Sequence, residues 1–278
     1  MIRGRIGVVV AMAAELRHLL AWAGEVRETR DRAWQEYHFC VGDLSVIAVR
    51  SGIGLLNAAA ATEHVIAFHA PTMVLNVGCA GAHRRDLLPG DIVIGERVVH
   101  TSAVHILPDG TEHHVGAGYE VDGERVPAAI LRTDPRLVAL AQEVAQEYRP
   151  QPWPDHVSWP AGIPRRAPQI VTGAVASADI WTQALDRLDD LHRRHGTLCE
   201  DMEAAAMAHH CARYGIPFLT IKDISNNEYH RASDVITFAD FPIHEVGKRA
   251  TGLAVRLIQR LALDDVALAG RRSRALQG

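Results

Sequence analysis

Short apolar runs alternate with helical patterns along most of the chain. Residues 6–10 are almost entirely branched and apolar, and residues 73–77 form a second, mainly apolar run. Such runs predict strands that are buried on both faces of a mainly parallel sheet. Between them, the alanine-rich residues 55–69 favour a helix, and residues 13–22 also have a helical pattern. This alternation predicts an α/β fold.

Turn and cap residues divide the rest of the chain. Gly42 and Asp43 separate two apolar-rich runs and predict a hairpin. Asp134 and Pro135 suit the N-cap and first position of a helix that extends to about residue 147. The same reasoning predicts strands at residues 35–41, 44–50, 92–99, 169–174 and 218–221, and helices at residues 201–214 and 243–263.

These elements predict a single domain over residues 1–265, with a three-layer α/β/α architecture and a central mixed, twisted sheet. Residues 149–168 are rich in proline and tryptophan and have no periodicity. Because core strands follow them, we expect a loop or lid there and not a linker between domains. Residues 266–278 are expected to form a flexible tail.

Composition and charge exclude several classes of protein. With 48% apolar and 22% charged residues the chain can bury a full core, which excludes a disordered or fibrous protein. Its 29 basic and 33 acidic residues give a net charge of −4, so we expect no nucleic-acid partner. No apolar run approaches the roughly 18 residues that span a bilayer. We therefore expect no membrane partner and a soluble, cytoplasmic protein.

The cysteines and histidines form no recognisable metal motif. The four cysteines are far apart and include no Cys-x-x-Cys pair, so we expect reduced thiols. The 16 histidines include no His-Glu-x-x-His motif, and the doublets at 113–114 and 209–210 point their side chains in different directions. We expect no metal site and no cofactor.

The candidate chemistry lies in loops after the predicted strands, because ligands of open α/β sheets bind beyond the carboxyl ends of strands. Glu15 lies in the first helical turn, where a carboxylate either serves chemistry or complements the helix dipole. Residues 51–54 fit only part of a dinucleotide fingerprint, because Asn57 replaces its last glycine. The loop at residues 78–81 lets backbone N–H groups approach an anion or a sugar, or forms only a tight turn.

Two later segments add polar groups. Glu203 lies near a predicted helix start, where its oxygens could accept hydrogen bonds from a vicinal diol such as ribose. Complementation of the helix dipole also explains acids at this position. In the strand that follows, alternation places Lys222 and Asn226 on one face and Ser225 on the other.

Four motifs in order resemble those of the methylthioadenosine/S-adenosylhomocysteine nucleosidases, within the nucleoside phosphorylase type I superfamily. The resemblance spans roughly residues 6–263 and implies a nucleoside phosphorylase-like fold. The matching segments are IGVVVAMAAE at residues 6–15, SGIG at 51–54, NVGCAG at 76–81 with PGDIVI at 89–94, and DMEAAAMAH at 201–209 with IPFLTIKDISN at 216–226.

The resemblance assigns roles to individual residues. It implies that Glu15 is the base that activates water, and that Met202 and Glu203 hold the ribose, with Glu203 on its hydroxyl groups. Lys222 stands where these nucleosidases usually have an arginine near the nucleophile. The other residues that the resemblance places in the substrate site are Ser51, Gly52, Cys79, Ala80, Gly81 and Ser225, with Ala176 at the edge of the base pocket and Trp181 or Phe218 as stacking partners.

Two residues depart from the family pattern. Asn226 replaces the aspartate that protonates N7 of the leaving adenine, and an amide cannot deliver a proton. In having asparagine at this position, the chain resembles the purine nucleoside phosphorylases that act on 6-oxopurines. Cys79 replaces the usual serine or threonine. The identity of the base therefore stays open at this point.

The expected function is hydrolysis of the N-glycosidic bond of a purine nucleoside, such as methylthioadenosine or S-adenosylhomocysteine. The hydrolase interpretation depends on Glu15, because a carboxylate beside the nucleophile activates water and repels phosphate. A phosphate-dependent phosphorylase and a non-catalytic nucleoside-binding protein remain alternatives. The resemblance also implies a homo-oligomer, most simply a dimer, because relatives complete their pockets across a subunit interface.

Overall fold

The computed structural model describes residues 4–31, 33–230 and 242–275. Its strands, in chain order, are β1 (Gly4–Val10), β2 (Arg27–Asp31), β3 (Trp34–Val41), β4 (Leu44–Arg50), β5 (Met73–Ala82), β6 (Ile92–His100), β7 (Val104–Ile106), β8 (Glu112–His114), β9 (Tyr119–Val121), β10 (Glu124–Val126), β11 (Ile130–Arg132), β12 (Ile170–Ser177), β13 (Thr197–Asp201) and β14 (Phe218–Asn226). The helices are α1 (Ala13–Ala23), α2 (Leu55–His69), α3 (Pro135–Glu147), α4 (Leu185–His195), α5 (Ala204–Tyr214) and α6 (Lys248–Ala275).

The central sheet is mixed and partly closed on itself. Parallel ladders join β1 to β4 and β5, while the predicted hairpin of β3 and β4 and the strand β2 extend one side in antiparallel pairing. Beyond β5 the ladders form a circuit, since β14 pairs with β5 and β6, β12 pairs with β6 and β13, and β13 returns to β5. The small barrel thus formed continues the open part of the sheet.

Helices cover both faces of the sheet and create two main cores. One core packs α1, α3 and α6 against the sheet, with Leu16, Ala141 and Leu253 among its buried side chains. The other packs α2 and α5 together on the opposite face, with Ala61 and Met207 at its centre. The predicted three-layer α/β/α architecture with a mixed sheet is confirmed.

Helix α3 begins where the sequence predicts. Asp134 Oδ1 accepts hydrogen bonds from the backbone N–H groups of Arg136 and Leu137 at 2.8 and 3.3 Å. Pro135 occupies the first helical position, where no N–H group is needed. Residues 149–168 contain no helix or strand, in agreement with the predicted loop.

The predicted helix over residues 201–214 is wrong at its start. Residues 197–201 instead form β13, which pairs with two strands, and α5 begins only at Ala204. Two buried side chains cap this later start: Asp201 accepts hydrogen bonds from the Ala204 N–H group, and Ser177 Oγ accepts one from Ala205. The acidic residues therefore belong to a strand end and a turn.

The last helix also differs from its predicted bounds. It starts at Lys248, because Asp223 accepts hydrogen bonds from the N–H groups of Gly247 and Arg249 at 2.8 and 2.9 Å and so caps it. It extends to Ala275, so most of the predicted tail at 266–278 is helical. Alanine, leucine and arginine in this segment favour such an extension. None of the helices described here has the length and apolar character needed to cross a membrane.

Candidate active site

A cavity of about 110 Å³ opens where several strands of the sheet end. The ends of β1, β5, β13 and β14 all contribute to its wall, as expected for an α/β sheet. Among the residues that the sequence analysis selected, those lining it are Glu15, Cys79, Ala80, Gly81, Trp181, Met202, Glu203, Ser225 and Asn226. Residues far apart in sequence thus meet at one site.

Glu15 is fixed by backbone hydrogen bonds on both carboxylate oxygens. Oε2 accepts from the N–H groups of Ala11 and Met12 at 3.1 and 2.9 Å, and Oε1 accepts from Cys79 at 2.9 Å. The side chain is almost fully buried. Burial raises the pKa of Glu15, while Lys222 and the N–H donors partly oppose the shift. A carboxylate with a raised pKa is a better proton acceptor than an exposed one.

Gly78 allows the end of β5 to approach Glu15; the prediction of a loop at residues 78–81 is wrong, because these residues continue the strand and pair with β14. A Cβ atom at this position would lie 2.5 Å from Glu15 Oε1, well inside contact distance. Glycine is therefore required for the hydrogen bond from Cys79 to form. Burial, together with the charge of Glu15, raises the pKa of the Cys79 thiol well above its normal value. Because the thiolate is the nucleophilic form, this shift disfavours Cys79 as a nucleophile.

Glu203 lies at the cavity wall, in contact with the loop at residues 51–54. Its Oε1 accepts a hydrogen bond from the N–H group of Gly54 at 3.1 Å, a glycine with φ of +101°. Burial and the neighbouring charge of Asp201 raise the pKa of Glu203 to about 7, with Lys222 opposing. This carboxyl group changes protonation near neutral pH.

Lys222 forms a buried ion pair with Asp201 beneath the cavity. Their Nζ and Oδ2 atoms are 2.6 Å apart, and Lys222 is only 1% exposed. Burial disfavours the charged ammonium group, but the carboxylates of Asp201, Glu203 and Glu15 more than offset this and raise its pKa. One cation thus lies among three acids. It does not itself line the cavity, and direct substrate contact from Lys222 stays a prediction.

The end of β14 presents an amide to the cavity. Asn226 donates from Nδ2 to Glu228 Oε1 at 3.0 Å, and its Oδ1 accepts from Ser225 Oγ at 2.7 Å. A register shift between Ile224 and Asn226 places Asn226 beside Gly81. These contacts orient the amide beside Gly81, where a Cβ atom would lie 3.4 Å from Asn226 Nδ2. The amide nitrogen carries two hydrogens.

The sequence profile of the phosphorylase superfamily matches residues 5–261. The chain belongs to this superfamily. It is 30% identical to the 5′-methylthioadenosine/S-adenosylhomocysteine nucleosidase of Oceanobacillus iheyensis, over 92% of this chain and 99% of that protein. The corresponding nucleosidase of Haemophilus influenzae is 27% identical, over 92% of this chain and 100% of that protein. The family resemblance of the four motifs is therefore confirmed.

Two solved structures share the fold of this chain. A mutant nucleosidase of Helicobacter pylori, solved with 5′-methylthioadenosine in its active site, superposes with a TM-score of 0.73 at 21% identity and covers 93% of this chain and 99% of its own. Futalosine hydrolase of the same organism also gives 0.73 at 21% identity, covering 92% and 98%. The nucleoside phosphorylase-like fold predicted from the motifs is confirmed.

Several residues that the resemblance selected lie behind the cavity wall. Ser51 and Gly52 connect the ends of β4 and β1 through hydrogen bonds to the carbonyl groups of Val10 and Ala11. Ala176 is fully buried within β12, and Phe218 lies in the helical core at the opposite end of β14 from Asn226. In this superfamily member these residues support the site and do not face the cavity.

Other lining residues were not selected from the sequence. Asp201 and Glu200 line the cavity, and Ile53 and Ile180 add apolar surface. Glu200 is held by the Thr182 N–H group at 2.7 Å and by His83 at 3.2 Å. The cluster of acids was visible in the sequence, but its interpretation as a helix start concealed that Glu200 and Asp201, at the end of a strand, would reach the site.

The ion pair of Lys222 and Asp201 should be important for stability. We expect Lys222→Met to cost about 3–5 kcal/mol of unfolding free energy, because it leaves the Asp201 charge buried without a partner. Urea denaturation of the two proteins measures the difference. The double variant Lys222→Met/Asp201→Asn removes both charges and should recover part of the loss. Equal stability of wild type and Lys222→Met would contradict this account.

Proposed function

We propose that the protein is a purine nucleosidase that hydrolyses the N-glycosidic bond of a 5′-modified purine nucleoside, such as methylthioadenosine or S-adenosylhomocysteine. The observation that carries this proposal is the buried carboxylate of Glu15, held at the cavity wall by the Cys79 N–H group. The names of the two curated relatives support the substrate class.

In the proposed reaction Glu15 is the base that activates water. Its raised pKa makes it a competent proton acceptor, and the end of β5 that binds it forms the adjacent cavity wall. The same negative charge disfavours phosphate as the nucleophile. No arginine or lysine lines the cavity within the residues described, which further disfavours a phosphorylase.

Glu203 is proposed to bind the ribose hydroxyl groups, with Met202 beside it on the cavity wall. One carboxylate oxygen is occupied by the Gly54 N–H group, which fixes the side chain. A fixed anion strengthens hydrogen bonds from a sugar diol, since charge-assisted hydrogen bonds exceed neutral ones. With its pKa at about 7, Glu203 becomes a stronger acceptor as the pH rises through neutrality.

Asn226 is proposed to contact the purine near N7, with Trp181 as a stacking surface. Its amide nitrogen can donate a hydrogen bond to N7 but cannot transfer a proton. Departure of the base therefore proceeds without general-acid help from this residue, an effect commonly worth about 10²- to 10⁴-fold in rate. Asn226 is also the feature that most favours a non-catalytic nucleoside-binding protein.

The nucleophile is tested by incubating the protein with methylthioadenosine in phosphate-free buffer. We expect release of adenine and of the free sugar, detected by chromatography and mass spectrometry. Glu15→Gln should lower kcat by about 10²-fold or more, since the amide cannot act as a base. Glu143→Gln, an exposed acid on α3, is the matched control and should retain full activity.

The alternatives give different products. Cleavage that requires phosphate and yields a sugar 1-phosphate would identify a phosphorylase instead. Binding of nucleosides without release of base from any of them would identify a non-catalytic binding protein. Either result would refute the proposed hydrolysis.

The assignment of Asn226 is tested by restoring the acid. Asn226→Asp should raise the ratio of kcat/KM for adenosine-type over inosine-type nucleosides, because a carboxylic acid can protonate N7. Steady-state assays with paired adenosine and inosine substrates measure this ratio. An unchanged ratio would mean that Asn226 does not contact the base in a way that distinguishes the two types of nucleoside.

We also propose a homodimer. Leu56 is 85% exposed at the start of α2, and its neighbour Ile53 both lines the cavity and is 41% exposed. An apolar surface continuous with the cavity is suited to cover by a second copy of the chain. Light scattering should give twice the chain mass of 30.4 kDa. Leu56→Asp should favour the monomer, and a monomeric wild type at micromolar concentration would count against the dimer.

A cytoplasmic location is proposed as well. All four cysteines are free thiols, two of them buried. Unpaired cysteines are typical of proteins that fold in a reducing compartment.

A further inference from the structure

Three imidazole groups converge on one buried carboxylate at the edge of the sheet, outside the active-site cavity. Glu36 and His38 lie on β3, while His64 and His69 lie in the second half of α2. His64 Nε2 and His69 Nε2 are each 2.7 Å from Glu36 Oε1. His38 Nε2 is 2.9 Å from Glu36 Oε2. We call these four residues the His–Glu cluster.

The donor atoms in this cluster are close enough to share one ion. The ligand atoms of Glu36, His64 and His69 all lie within 4.8 Å of one another. Around tetrahedral Zn²⁺, bonds of about 2.0 Å would place neighbouring donors about 3.3 Å apart. A widening of about 0.6 Å at each 2.7 Å contact would make room for the ion.

The donor set of the cluster suits a cation. The two carboxylate oxygens of Glu36 lie within 2.9 Å of three imidazole nitrogens. Imidazole nitrogen and carboxylate oxygen are ligands that Zn²⁺ and similar ions prefer. Each neutral histidine can place its proton on Nδ1 and offer the Nε2 lone pair to a metal.

We propose that Glu36, His64 and His69 bind a divalent transition-metal ion, of which Zn²⁺ is the best fit. His38 and Thr29 stay outside the coordination sphere and hold Glu36 Oε2, His38 at 2.9 Å and Thr29 Oγ1 at 3.1 Å. Such outer hydrogen bonds orient a ligating carboxylate. The fourth position is taken by water from the adjoining surface cavity.

The surroundings provide support and access. The His64 ring stacks on Trp34 with centroids 5.6 Å apart, which fixes its orientation. A surface cavity of about 740 Å³ reaches Glu36, His38 and His69 and provides a path for the ion. Because two ligands come from α2 and one from β3, the metal would connect this helix to the edge hairpin.

This site departs from the expectation of no metal, which depended on the absence of a recognised motif. Histidines five residues apart on a helix match no such motif, and Glu36 comes from a different element. The cluster also lies apart from the cavity that Glu15 and Glu203 line. Its test is therefore independent of the proposed hydrolysis.

The experiment is a calorimetric titration of chelator-treated protein with Zn²⁺. We expect one high-affinity ion per chain and a thermal midpoint that rises with Zn²⁺ but not with Mg²⁺, since a ligand bound only by the folded state stabilises it. Glu36→Gln and His69→Gln should each weaken binding by at least about tenfold. His156→Gln removes an exposed histidine and should bind Zn²⁺ as the wild type does.

The controls separate a metal site from a purely structural hydrogen-bond network. Circular dichroism and nucleoside hydrolysis should remain normal in His69→Gln, whose side chain is partly exposed, so that lost binding is not lost folding. With Co²⁺, the wild type should develop visible absorption bands of a low-symmetry site that His69→Gln lacks. Absence of a high-affinity site in the wild type, or equal Zn²⁺ affinity in His69→Gln, would overturn the proposal.

Discussion

The buried ion pair of Lys222 and Asp201 is the interaction on which the candidate site depends. It places one positive charge within reach of Glu15 and Glu203, and this charge opposes the rise in their pKa values that burial causes. Asp201 also caps α5, so the same carboxylate both pairs with Lys222 and accepts hydrogen bonds at the start of a core helix. A substitution of Asp201 would therefore change both the candidate site and the start of α5.

Backbone N–H groups position the carboxylates of both Glu15 and Glu203. Glu15 accepts hydrogen bonds from the backbone N–H groups of Ala11, Met12 and Cys79, and Glu203 is fixed by the N–H group of Gly54. Such donors do not change with side-chain substitution, but they require close approach of the chain. Gly78 supplies that approach, since a Cβ atom there would collide with Glu15. This explains why small residues surround the two acids.

Local patterns predicted much of the structure, but long-range pairing did not follow from them. The buried run of β1, the hairpin at Gly42 and the cap at Asp134 depend on neighbouring residues, and each was predicted. Helix α4 was missed although Leu185, Leu188 and Leu191 repeat every three residues. The strand β13 and the partner of Lys222 depend on contacts between distant segments, which no periodicity reports. Glu15 and Glu203 were selected through motifs, whereas the His–Glu cluster had none.

The closed circuit of β5, β14, β6, β12 and β13 has a mechanical consequence. Because β14 is hydrogen-bonded on both sides, sliding it by one residue would break two ladders at once. Lys222 lies within the part of β14 that is paired on both sides, whereas Asn226 lies beyond the register shift and pairs with β5 alone. Adaptation to a nucleoside with a longer 5′ substituent must then come from the loops around the cavity, while the register of the doubly paired part of β14 stays unchanged.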